Sequence, residues 1–291
     1  MERNYKLDLY KGIAAIGVLW IHVGTFVSPT DTAFLNYTRE LASLIVPIFF
    51  IISGYFLANS KNVLPGTIKL LKTYFIMAIC TIVFYQLFIG TYSVLEMIKR
   101  VFDFSFGGVG YLWFIKMLIY YRLIIVVNHS LIKKKELQII IPILCIIFSI
   151  LNFYTLGPNL YVSLLFCSTG YLLQRLNVVY NVRFNSWLGL IFVCLIYLIF
   201  GSEYNTHAVY TFIAALITFL TAFQGSIKSN PLEFYSRNSL NLLFVHYFVL
   251  NTFLLLDVFV KEWYVFNYII LLVTSSLILY GYETIVKLAK E

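Results

Sequence analysis

Apolar runs of spanning length, separated by short polar links, recur from residue 9 to residue 282. At 1.5 Å rise per residue, about twenty residues cross the hydrocarbon core of a bilayer. The runs fall at Leu9–Ser28, Leu41–Asn59, Leu71–Thr91, Leu112–Asn128, Leu137–Tyr154, Leu160–Leu173, Trp187–Gly201, Ala208–Gln224, Leu240–Val258 and Trp263–Tyr282. They predict an all-α, polytopic integral membrane protein of about ten transmembrane helices. Leu160–Leu173 and Trp187–Gly201 are short for a span. No repeat period marks a tandem array. Between Thr91 and Tyr111 lies a longer, moderately polar link ending in Phe106-Gly107-Gly108-Val109-Gly110-Tyr111. It reads either as an exposed loop or as a short amphipathic or re-entrant segment, for which its glycines permit sharp turns.

The links also carry the orientation. An even number of spans puts both termini on one side, and fifteen basic residues fall there against four on the other, Arg39, Lys99, Arg100 and Lys261. Cytoplasmic links are enriched in Lys and Arg, so both termini are predicted to be cytoplasmic. Composition agrees: 61% of the 291 residues are hydrophobic and 12% charged, about half the charge of an ordinary soluble domain. The net charge of +8 follows from this topology and calls for no nucleic acid. Residues 1–291 are expected to form one membrane domain with no appended soluble domain. The first run carries Trp20 and His22 and lacks a small-x-small site, so it reads as a retained helix rather than a cleavable leader. Cys80, Cys145, Cys167 and Cys194 sit inside apolar runs without paired spacing and read as small buried hydrophobes.

Ionisable side chains inside apolar runs are costly and therefore candidates for function. Lys11 and His22 are eleven positions apart, a rotation of about 1100° that leaves them about 20° apart on the helix wheel, with a rise of roughly 16 Å. A cation near the inner interface and a titratable imidazole deeper on the same face suit an anionic substrate entering from the cytoplasm, since neutral imidazole takes a proton near neutral pH. Spacing alone is equally met by a snorkelling lysine and an interhelical histidine bond. Lys69 and Lys72 share one helical face near the inner surface. They suit either the phosphates of a donor or anionic headgroups. Asp8 at the inner interface suits either Lys11 or Lys6 as a partner. Arg122 lies deep in the fourth run with no partner evident from sequence. Ser53-Gly54 suits close helix contact. The four histidines show no metal-ligand spacing, and no phosphate-cradling glycine loop appears.

The segment Leu7-Asp8-Leu9-Tyr10-Lys11-Gly12-Ile13-Ala14-Ala15, followed by His22, resembles the opening of the acyltransferase-3 family, bacterial membrane O-acyltransferases of surface carbohydrates. That family shares an Arg/Lys-x10-His motif in its first helix, which Lys11 and His22 match. Pro47 to Leu57 is similar to the family's Phe-Phe-x-x-Ser-Gly-Phe stretch, Lys69-x-x-Lys72 to an Arg-x-x-Arg pair, and Leu112-Trp113-Phe114 to an aromatic Leu-Trp-Phe run. Ser239 to His246 is similar to a closing Ser-Tyr-x-x-Tyr-Leu-x-His pattern. The matches keep family order. Departures are the two lysines in place of arginines, Tyr111 where relatives often carry His, and Leu240 and Leu243 in place of two tyrosines.

The resemblance implies an O-acyltransferase, most simply an O-acetyltransferase, in the bacterial cytoplasmic membrane. It would move an acyl group from cytoplasmic acetyl-CoA or another acyl-CoA to a hydroxyl of a surface glycan or polyprenyl-linked glycan precursor, with no metal. His22 would be the catalytic base or an acyl relay. Lys11, Lys69 and Lys72 would bind the donor, and His246 would help shape the donor's tunnel or make a structural hydrogen bond. Tyr111 and Trp113 fall at the outer interface, where they suit either an aromatic belt or stacking on the acceptor sugar. The competing class is a transporter or flippase of a lipid-linked or anionic glycan. Such proteins commonly show internal repeats or paired broken helices, and neither is detectable in the sequence. A scaffold without chemistry ranks last.

Overall fold

The computed structural model describes residues 5–26, 45–60, 62–88, 93–102, 112–152, 158–177, 211, 213–220, 230–260 and 263–289. Among these the regular structure is helical. In chain order the elements are α1 (Tyr5–Phe26), α2 (Ile45–Ala58), α3 (Val63–Phe88), α4 (Val94–Phe102), α5 (Trp113–Leu131), a 3-10 turn (Lys135–Ile139), α6 (Ile140–Leu151), α7 (Pro158–Arg175), α8 (Asn230–Arg237), α9 (Ser239–Leu255) and α10 (Tyr264–Leu288). Residues 213–220 are also helical. The run Trp187–Gly201, the glycine-rich stretch before Tyr111, and Tyr111 itself lie outside the described residues.

Three described helices, α3, α5 and α10, are long and apolar enough to cross a membrane. The pair α8 and α9, bent by 87° at Asn238, makes a fourth if read as one broken span. On α3 the residues Ile76, Ile79, Val83 and Leu87 are each at least 50% exposed. A soluble protein rarely exposes so long an apolar strip, so this is a lipid-facing surface. Cys80 lies on that surface and is exposed. The expectation of a buried thiol therefore fails there, because in a bilayer the outside of a helix is as apolar as its core.

The chain divides into two compact units, Met1–Phe49 with Arg183–Glu291, and Phe50–Val182. In the second, α3 packs along α5, α5 along α7, and α6 along α7. α2 meets α7 through a reciprocal pair of glycines. A Cβ on Gly54 would strike the Cys167 carbonyl, and one on Gly170 would strike the Ile51 carbonyl. Small residues let backbones approach this closely, which dispersion rewards in lipid. Ser53-Gly54 thus has the packing role its sequence suggests. Gly54→Val is expected to cost about 1–3 kcal/mol of stability by overpacking, read as a lower melting temperature in detergent. Gly281→Ala, where a Cβ meets nothing within 4 Å, should leave it unchanged.

Two boundaries differ from the sequence pattern. α3 starts at Val63 rather than Leu71, so Lys69 lies inside it together with Lys72. Pro65 is no obstacle, because the first turn of a helix has no intrahelical use for its amide. Residues Val94–Phe102 form a helix, so this part of the long link is an amphipathic segment rather than a plain loop. The Val101 carbonyl accepts the Tyr74 hydroxyl at 2.8 Å, which ties α4 to α3.

Candidate functional site

The first unit is built around α1. Between Lys11 and His22, the positions on the same stripe are Ala15 and Val18, which are 0% and 6% exposed. The stripe carrying Lys11 and His22 therefore faces protein, not lipid. Gly12 allows this: a Cβ there would strike the Leu232 carbonyl of α8. On the other flank the Trp20 ring meets the edges of Tyr264 and Tyr268 on α10, with centroids 4.4 and 5.0 Å apart. The Tyr264 hydroxyl donates to the Trp20 carbonyl, and Gly24 leaves the space that this hydroxyl occupies. These contacts fix the rotation of α1 on both sides of His22.

α9 delivers the second histidine. Asn238, at the bend before it, donates to the Phe234 carbonyl at 3.1 Å and to Glu283 Oε1 at 2.8 Å, so the helix start is tied to α8 and α10. Two turns later His246 is completely buried. Its Nε2 lies 2.8 Å from Nδ1 of His22, and its own Nδ1 lies 2.8 Å from the Leu242 carbonyl.

Hydrogen-bond chemistry then assigns the protons. A carbonyl oxygen only accepts, so Nδ1 of His246 carries a proton. Neutral His246 consequently has a bare Nε2, which accepts from Nδ1–H of His22. Neutral His22 in turn holds its lone pair on Nε2. The Leu242 carbonyl thus sets the tautomer of both rings. Protonation of His22 at Nε2 leaves the bond to His246 intact, because that bond already uses the Nδ1 proton. Such a ring is a base, or a nucleophile, held in orientation by a partner.

The structure places the other sequence candidates as follows. Lys11 is half-buried near the start of α1. The side chain of Asp8 lies outside the described residues. His246, expected from sequence either to help hold the donor or to make a structural hydrogen bond, lies directly against His22, a pairing that sequence did not reveal. In the second unit Lys69 and Lys72 are exposed on α3. Trp113 begins α5, half-buried against Phe50 and edge-on to Phe114, with centroids 6.2 Å away in each case. Arg122 finds a partner: its Nε donates to Thr67 Oγ1 at 3.2 Å. Lys116 on the same helix is 2% exposed. Among the described residues no group of three or more His, Cys, Asp or Glu side chains is arranged to hold a metal.

A family model described as an acyltransferase domain matches residues 4–281, nearly the whole chain. No curated protein and no solved structure matches it.

Proposed function

The chain belongs to the acyltransferase-3 family and is an acyl-transferring enzyme, and on that premise we propose that it O-acetylates a glycan at the bacterial cytoplasmic membrane, with His22 as the catalytic base. The donor in this reading is cytoplasmic acetyl-CoA, and the acceptor is a hydroxyl of a surface glycan or of its polyprenyl-linked precursor. The chain spans the membrane about ten times with both termini inside. The observation that carries the reading is the tautomer-locked pair His22–His246 on the protein-facing stripe of α1.

The chemistry follows from the lone pair on His22 Nε2. As the acceptor oxygen attacks the thioester carbonyl, Nε2 takes the hydroxyl proton. The C–S bond then breaks, and the departing sulfur receives that proton from Nε2, which restores the neutral ring. An acyl-imidazole relay would use the same nitrogen as nucleophile, but direct transfer needs one step fewer. Lys11, Lys69 and Lys72 are the cations for the donor's phosphates. Trp113 and Tyr111 offer aromatic surface to the acceptor sugar.

The test uses inside-out membrane vesicles with acetyl-labelled coenzyme A. Vesicles containing the chain should move label onto glycan, while matched vesicles without it should not. Flux of a lipid-linked glycan with no acyl transfer would instead establish the transporter reading.

A further inference from the structure

α10 is tied to α1, α8 and α9 from one face. Tyr264 and Tyr268 donate to the Trp20 and Ile16 carbonyls of α1. Ser276 gives its own proton to the Leu272 carbonyl at 2.6 Å, so Tyr235 of α8 donates to it at 2.9 Å. Glu283 accepts from the Asn238 amide at the start of α9. At 100° per residue these four positions of α10 fall within about 120° of one another on the helix wheel. The last tie is the unusual one. Asn is among the best N-cap residues, because its side-chain oxygen accepts a free amide of the first turn. Asn238 stands at that position, 5% exposed, and makes no such cap. Its side-chain N–H groups are directed instead to the Phe234 carbonyl and to Glu283 Oε1. Glu283 is the one carboxylate in the sequence of α9 or α10, and it is half-buried.

We propose that Glu283 is a positioning residue: through Asn238 it sets the rotation of α9, and with it the place from which His246 orients His22. The inference rests on the role given to His22 above for its effect on turnover. Its geometry is separate from that role. His246 lies eight residues, about 12 Å, along α9 from Asn238, so Glu283 works through the helix and not on the rings. The Leu242 N–H donates to the Asn238 carbonyl at 2.7 Å, and the Leu242 carbonyl takes the Nδ1 proton of His246. The residue that sets both tautomers therefore stands on the turn that Glu283 holds. A ring carried at the radius of about 5–6 Å of a helix moves about 1 Å for each 10° of rotation. A shift of that size takes the 2.8 Å contact of the imidazoles beyond hydrogen-bond range. The charge matters because an ionised acceptor makes the shorter, stronger bond to an amide.

The test reads the histidine pair and the reaction separately, on the full chain. In phosphatidylcholine nanodiscs, nitrogen-15 NMR of labelled histidine reports which ring nitrogen carries the proton, with His22 assigned by its loss in His22→Gln. The wild type should show His22 protonated at Nδ1 and bare at Nε2, and Glu283→Leu should show both tautomers. In membrane vesicles Glu283→Leu should lower kcat by about 10- to 100-fold, the scale of a 1 Å misplacement, with KM for acetyl-CoA unchanged. Glu283→Gln keeps a neutral acceptor and should fall between. Asn238→Asp sets two carboxylates against each other and should behave as Glu283→Leu does. Combining Asn238→Asp with Glu283→Gln turns the bond around, amide onto carboxylate, and should recover part of the tautomer signal and of kcat. The reversed pair carries the test if Glu283→Leu does not fold. If Glu283→Leu folds and keeps the wild-type tautomer, the proposal is overturned, even where its melting temperature or kcat falls. If the tautomers mix while kcat is unchanged, the positioning role stands and the role of His22 as the base falls. A reversed pair no better than Asn238→Asp in tautomer and kcat also overturns the proposal.

Discussion

His22→Ala is expected to lower acyl transfer by about 10²- to 10⁴-fold, the usual contribution of a positioned general base. The substitution removes the nitrogen that takes the acceptor's proton and leaves Lys69 and Lys72, on another helix, unchanged. Donor affinity should therefore persist while turnover is lost. His246, fully buried, would keep its bond to the Leu242 carbonyl but lose the one from His22 in this variant, at a cost of about 1–3 kcal/mol. His22→Gln guards against misreading a folding defect, because its amide can still donate to His246 but supplies no base. Label transfer from acetyl-labelled coenzyme A at matched membrane levels is the measurement. A His22→Gln variant retaining more than about a tenth of wild-type turnover would contradict the role, since that loss is below the general-base range.

His246→Phe should lower turnover by about 10- to 100-fold, corresponding to the ~1.5–3 kcal/mol of a hydrogen bond to a charged group. The ring fills similar space but accepts nothing, so imidazolium at His22 loses the bond that steadies it. His246→Gln places a carbonyl oxygen within reach of His22 Nδ1 and should restore much of the rate. A purely structural His246 predicts the opposite order, with Phe tolerated in the apolar setting and Gln destabilising. Turnover and melting temperature of the two variants, measured side by side, separate these cases.

Much of this was written locally in the chain. Hydropathy depends on consecutive residues, so the runs that became α1, α3, α5, α9 and α10 were legible, and helical geometry alone put Lys11 and His22 on one stripe. The close approach at Gly54 was legible for the same reason. The start of α3 was missed because hydropathy weights Lys69 as a loop residue, although a helix end at the interface tolerates it. The contact between His22 and His246 was not legible. It depends on the bend at Asn238 and on the packing of Gly12 against α8, neither of which leaves a mark near either histidine. The partner of Arg122 was hidden likewise. A glycine followed by a threonine on a neighbouring helix is a weak signal until packing shows what fills the space.

The two histidines are 224 residues apart, and this bears on how the protein is made. At ribosomal rates of about 5–20 residues per second, the first helix waits on the order of ten to forty-five seconds before its partner on α9 exists. The amide clamp near the chain's end behaves differently. Asn267 grips the backbone of Val260 through bonds of 3.1 and 2.7 Å across only seven residues, so the turn between α9 and α10 sets locally, as soon as it emerges. Biogenesis therefore closes the His22–His246 pair late, when α9 and α10 arrive beside α1. A chain that ends before α9 inserts His22 without the imidazole of His246, and so without the bond that sets its tautomer.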